Sequence, residues 1–300
     1  MSYGLCGMCV TSQLELPELA PWLGPDRAPD LEIRIGSVPL RLAGATYEGP
    51  LLQISSDGSC RLAIPGVASY LARGGRDITV QPEMDENAPD IRLFLLGTVF
   101  AFACHQRGLV PLNAGCVEID GAAIAFSGAP GVGKSTLAAA FLRRGLRLLA
   151  DDLTVIDVSA EAGPTVLPSF PRVKLWRDSQ EALGWASAAG ECVRSGIDKL
   201  QFPIGSGFSP APLRLGALYH LARSREPRAL EVSTLRGIDA AQALLGAVYR
   251  HQRAFQMGYA KALTSAVFRM APVPNLSLAW GSDLSRVDEL VDCIVSRQNQ

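Results

Sequence analysis

Two short stretches hold the residue types and spacing that could do chemistry. Gly128-Ala129-Pro130-Gly131-Val132-Gly133-Lys134-Ser135-Thr136 fits the pattern G-x-x-x-x-G-K-[ST] at every required position. Glycines at those places let the backbone curl so that successive N–H groups converge on phosphate oxygens at the start of a helix. Lys134 would then reach the β- and γ-phosphates of a bound nucleotide, and the Ser135 hydroxyl would ligate Mg²⁺. Further on, Asp151 and Asp152 close the apolar run Leu146-Arg147-Leu148-Leu149-Ala150. Two adjacent acids can divide the work, one orienting the metal while the other takes a proton from an attacking hydroxyl. ATP and Mg²⁺ are therefore the expected cofactors, with Lys134, Asp151 and Asp152 as the catalytic set and Ser135 together with one of the two acids on the metal.

That chemistry needs a strand, a loop and a helix in succession, and the flanks supply them. Cys116-Val117-Glu118-Ile119 and Ala122-Ala123-Ile124-Ala125-Phe126 read as strands joined by an Asp120-Gly121 hairpin turn, and the second runs straight into the loop. After the loop, the Ala- and Leu-rich stretch from Thr136 to Arg144 reads as a helix that stops at Gly145. A Gly/Pro-rich surface turn matching by accident would not carry both neighbours.

Composition limits the partners. The 300 residues are 48% hydrophobic and 19% charged with a formal net charge of −1, which gives no global attraction to nucleic acid or to an anionic membrane. The longest apolar stretch, Leu93 to Cys104, is well short of the ~18 residues a bilayer crossing needs. No secretory signal is visible, and the 7 scattered cysteines suit reduced thiols, so a cytoplasmic protein is expected. Cys6-x-x-Cys9 has no second pair and is assigned no role.

The expected fold is α/β, a domain over residues 90–300 with a mixed sheet, preceded by a small β-rich module over residues 1–89. In that module the bursts Leu31 to Ile35, Val38 to Leu42, Leu51 to Ile54, Arg61 to Ile64 and Ile78 to Val80 alternate between turns, as a small antiparallel β structure would. The acidic run Glu83 to Asp90, flanked by Pro82 and holding Pro89, reads as a solvated linker. Ile91 to Arg107 is apolar almost all round, which predicts a buried helix beneath the domain's sheet, with a cationic His105 facing the negative end of its dipole. Downstream, the period-two rule puts Arg172, Lys174 and Trp176 on one side of a strand, either a basic face toward phosphate or a set of solvated strand-edge charges, and Lys199 is either a second lysine of the site or a surface lysine. His220 and His251 have no ligand-spaced partners and read as structural.

The run Leu112-Asn113-Ala114-Gly115-Cys116, the hairpin, the loop, and then Arg144-Gly145-Leu146 to Asp151-Asp152 resembles the HPr serine kinase/phosphorylase family. The resemblance implies a P-loop kinase fold in which Lys134 contacts the phosphates and Ser135 the Mg²⁺. Asp152 becomes the base that takes the proton of the substrate serine, and Asp151 supports metal and geometry. Asn113, Arg172, Lys174 and Lys199 are candidate contacts to substrate or phosphate, Lys199 standing near a downstream basic residue of the family, and a homo-oligomer is left open. Two departures stand out. The family carries a histidine where this chain has Asn113, which cannot shuttle a proton, so kinase rather than phosphorylase activity is expected. The family's Glu-x-Arg-Gly motif is missing, with Arg172-Val173-Lys174 near its place.

The opening Tyr3-Gly4-Leu5 and Leu14-Glu15-Leu16-Pro17-Glu18-Leu19 is similar to HPr-kinase-like proteins of ribosomal peptide tailoring, including lasso-peptide precursor kinases. The acceptor this implies is a serine of a peptide or small protein. HPr itself as acceptor, or a nucleotide-sensing module without catalysis, remain the alternatives.

Overall fold

The computed structural model describes residues 1–298 except 21, 23, 25, 26, 186–189, 195, 227 and 282. The chain divides into two compact units, Met1–Pro111 with Tyr249–Ala266, and Leu112–Val248 with Val267–Gln300. It is a mixed α/β protein.

The first unit is built on one eight-stranded sheet. Five strands, Ala45–Glu48, Leu52–Ser55, Cys60–Ile64, Ala68–Arg73 and Asp77–Pro82, form an antiparallel meander. The sheet departs from the antiparallel expectation at Leu31–Ile35, which pairs in parallel with both Met8–Ser12 and Asp77–Pro82. Alternation of apolar and polar residues sets which side chains face the core but carries no information on strand direction.

Residue 89 is not where the units part. Glu83 donates its N–H to the Val67 carbonyl at 2.9 Å, and its carboxylate accepts from the Gly66 N–H at 2.9 Å, so the acidic run starts docked on the sheet. Pro89 then opens a helical run, where its missing N–H costs nothing. The run is α-helical over Pro89–Phe94, a π-turn over Leu95–Val99, and α-helical again over Phe100–Gln106. The Tyr70 hydroxyl donates to the Ile91 carbonyl at 2.9 Å, tying the run to the first unit's own sheet rather than to the sheet that carries the phosphate loop.

His105 differs from its expected cationic role. It is buried, and burial pushes its pKa below the ordinary histidine value. Its Nε2 lies 3.0 Å from the Tyr249 carbonyl oxygen, which can only accept, so Nε2 carries a proton, and the burial that lowers the pKa favours the neutral ring. Because the folded pKa is depressed, the unfolded chain takes up the proton first as pH falls below about 6.5. Stability present above that pH is therefore lost at up to about 1.4 kcal/mol per pH unit from this group. Thermal melts between pH 7.5 and pH 5 should show a steeper acid loss for the native protein than for His105→Gln, and equal slopes would overturn the neutral assignment.

The second unit places its functional elements around a second mixed sheet. Six of its strands run, in spatial order, Arg147–Ala150, Ala114–Ile119, Ala122–Gly128, Leu213–Arg223, Asn275–Trp280 and Leu230–Leu235, and a branch through Thr165–Leu167 and then Thr154–Asp157 also pairs onto Leu213–Arg223. Ala122–Gly128 is antiparallel to Ala114–Ile119 and parallel to Leu213–Arg223. The Asp120-Gly121 turn has φ +50° and +77°, the left-handed pair that matches strand twist in a two-residue hairpin. The helix Lys134–Arg143 lays Leu137, Ala138, Ala140 and Phe141 against Phe126, Ile124 and Leu148, with Val287, Leu290, Val291 and Ile294 of the helix Val287–Gln298 completing the core. A separate three-stranded sheet, Glu191–Cys192, Lys199–Pro203 and Arg172–Trp176, carries the lysines.

Candidate phosphate-binding site

The strand Ala122–Gly128 delivers the loop, and the loop's three glycines adopt backbone conformations that other residues resist. Gly128, Gly131 and Gly133 have φ of +155°, +79° and +105°. At Gly133 a Cβ would also sit 2.5 Å from Cζ2 of Trp280. Gly133→Ala should therefore destabilise the second unit by about 2 kcal/mol, from left-handed backbone and overpacking together. Denaturant unfolding checks this, and unchanged stability would mean the loop repacks freely.

Loop geometry is held from outside by groups that the sequence reading did not single out. The Trp280 indole N–H donates to the Val132 carbonyl at 2.9 Å, and the Arg223 guanidinium donates to the Gly131 carbonyl at 2.7 Å. Arg223 also lies over the Trp280 ring, 5.9 Å from its centre. Both residues close the carboxyl ends of strands that run parallel to the loop strand, Leu213–Arg223 next to it and Asn275–Trp280 one further out. Ligand sites in open α/β sheets gather at such ends, and that placement is the signal that could have nominated them. The Val132 side chain is buried in the core, so its part in the loop is structural.

Lys134 is nearly buried and turns back onto its own loop, its Nζ donating to the carbonyls of Gly128 at 2.7 Å and Ala129 at 3.3 Å. Burial pulls the ammonium's pKa below its ordinary value, while Asp152 and Asp151 pull the other way. The Ser135 hydroxyl donates to Asp151 Oδ1 at 3.0 Å, and Asp151 Oδ2 accepts from the Lys174 N–H at 2.8 Å. Thr136 Oγ1 shares a hydrogen bond of 2.9 Å with Ser179 Oγ, which anchors the first turn of the helix.

The two acids sit in different environments. Asp151 is buried, and desolvation, followed by the charge of Asp152, raises its carboxyl above the ordinary range. Asp152 faces the cleft with φ +70°, its Oδ2 3.2 Å from Lys174 Nζ and 3.9 Å from Lys199 Nζ. Its burial alone would raise the carboxyl, but Lys174, Lys199 and Lys134 outweigh that and hold it below the usual carboxylate value. Lys199 also lies 5.8 Å from the centre of the exposed Trp176 ring.

A cleft of about 520 Å³ opens over this arrangement. Asn113, Pro130, Gly131, Gly133, Lys134, Ser135, Thr136, Asp152 and Lys199 all line it, as do Trp176 and Arg223. Lys174 joins the group through Asp152. Arg172 does not join. It is buried, donates to Gln201 Oε1 at 2.8 Å and stacks 4.9 Å from the Phe170 ring centre, so it supports the three-stranded sheet instead of a phosphate.

The donor set fits the expected ion. Ser135 and Asp151 offer hard oxygen ligands, and among the described residues no group of three or more His, Cys, Asp or Glu could hold a metal. Hard oxygen ligands are the kind that Mg²⁺ takes beside waters and phosphate oxygens. Among the described residues, no helix is long and apolar enough to cross a membrane.

Comparison with known proteins yields little that bears on the chemistry. No family model matches the chain, and no curated protein matches it. Among solved structures, the HPr(Ser) kinase/phosphatase from Coxiella burnetii is similar at a TM-score of 0.33 and 12% identity, over 63% of this chain and 95% of that one. A likeness at that level carries no argument about this chain's activity.

Proposed function

We propose that the protein is an ATP- and Mg²⁺-dependent serine kinase of HPr-kinase-like type, acting on a peptide or small protein such as a ribosomal lasso-peptide precursor. One observation carries this reading: Lys134, Ser135 and Asp152 line a single cleft at the carboxyl end of the loop strand, with Asp151 directly behind Ser135. In this reading the backbone N–H groups of Gly131 to Ser135 cradle the phosphates, and Lys134 exchanges its loop carbonyls for phosphate oxygens. Mg²⁺, held by Ser135 and Asp151, would neutralise charge on the phosphate oxygens. Asp152 accepts a hydrogen bond from the serine hydroxyl and takes its proton as the new oxygen–phosphorus bond forms and ADP leaves. Its low proton affinity makes it a weak base at rest, so orientation of the hydroxyl is its main contribution.

The full-length protein with Mg²⁺ and γ-labelled ATP, incubated in parallel with HPr and with serine-bearing peptides encoded by neighbouring genes, tests the reading. Label on a peptide serine is the expected result. Label on HPr alone would reassign the acceptor, and ATP binding without transfer to any acceptor would leave a nucleotide sensor in place of a kinase.

A further inference from the structure

The first unit holds a second cavity, of about 340 Å³, unrelated to the phosphate loop. Its wall is apolar: Leu52, Leu62 and Ile64 come from the meander, and Phe94, Thr98 and Phe102 follow one another at intervals of four along the helical run. Thr98 lies inside the π-turn Leu95–Val99, a rare local geometry that recurs at functional sites. Among the described residues of the lining, two arginines, Arg250 and Arg253, carry the only charges. Arg253 is fixed, its guanidinium stacked 4.8 Å from the Tyr47 ring centre and donating to Gln256 Oε1 at 2.8 Å. Arg250 touches the Tyr249 ring at 5.6 Å and is exposed. Among the described residues neither has a carboxylate partner.

The backbone at Arg250 is a further sign. Its φ of +57° and ψ of +35° lie in the left-handed region, where glycine fits without strain and arginine does not. A charged side chain is thus kept at a cavity mouth where the chain geometry favours none. An apolar chamber of ligand-binding size with a few convergent polar groups is the usual form of a small-molecule site.

We infer that this cavity binds an amphipathic carboxylate, its apolar body against Leu52, Leu62, Phe94 and Phe102 and its carboxylate on Arg250 and Arg253. Guanidinium groups match a carboxylate in shape as well as charge, and stacking on Tyr47 leaves Arg253 little freedom to lose on binding. A free organic acid and the C-terminus of an apolar peptide present the same chemistry.

Calorimetric titration of the full-length protein with decanoate and with decanol decides it. Decanoate should bind at least tenfold more tightly than decanol. Arg250→Gly and Arg253→Gln should each weaken decanoate binding about tenfold, and Arg250→Gly should melt no lower than the native protein because glycine relaxes the backbone. An apolar hexapeptide that binds with a free C-terminus but not as its amide supports the site and names a peptide end as the source. Decanoate binding with neither peptide bound supports a free acid. Absence of decanoate binding, equal binding of decanol, or equal binding of the amidated peptide overturns the inference.

Discussion

Lys134→Ala should lower the rate of phosphoryl transfer by about a thousandfold or more while leaving the protein folded. The figure corresponds to about 4 kcal/mol of transition-state stabilisation, the scale of a preorganised charge aimed at a transferring phosphoryl group. The Lys134 side chain is already largely buried against its own loop. Its removal deletes two hydrogen bonds to the loop, but the clamps from Trp280 to Val132 and from Arg223 to Gly131 stay. Circular dichroism should therefore match the native protein, and the melting shift should reflect about 1 kcal/mol per lost bond. Normal transfer by the folded variant would remove the loop from the active centre.

Asp152→Asn should separate binding from chemistry. Asparagine tolerates the left-handed backbone at φ +70° better than most residues, so the turn after the strand Arg147–Ala150 keeps its shape. The amide cannot take a proton, and transfer should fall on the order of a thousandfold. Nucleotide affinity should hold or rise, because Lys174 and Lys199 lose their counter-charge and the cleft becomes more positive. Equilibrium binding of a fluorescent ATP analogue beside the transfer assay reads both effects. Full activity would move the base elsewhere, and lost nucleotide binding would make Asp152 a structural anchor.

What is legible in the amino-acid sequence is local. The Asp120-Gly121 turn, the loop glycines and the stop at Gly145 each act within a few residues, and the elements they define stand where the spacing put them. The double acid was legible for the same reason, since an apolar strand carries it to a defined end. What escaped depends on distant partners. Alternation correctly sets Arg172 and Lys174 on the same side of their strand, yet it cannot tell that Gln201 takes one while Asp152 takes the other. Trp280 and Arg223 reach the loop from residues 148 and 92 positions away in sequence. The acidic run at residue 83 had the composition of a linker, and only its hydrogen bonds to Gly66 and Val67 reveal that it belongs to a folded unit.

The path of the chain has a consequence for synthesis. Residues 249–266 return to the unit begun by residues 1–111 after the polypeptide has built most of the other one. A nascent chain that has reached Val248 carries every strand of the eight-stranded sheet yet lacks its closing segment, including Arg250 and Arg253 of the apolar chamber. The other unit is likewise short of Asn275–Trp280, the strand bearing the indole that clamps Val132. Neither half is complete until the polypeptide beyond Val248 has been made.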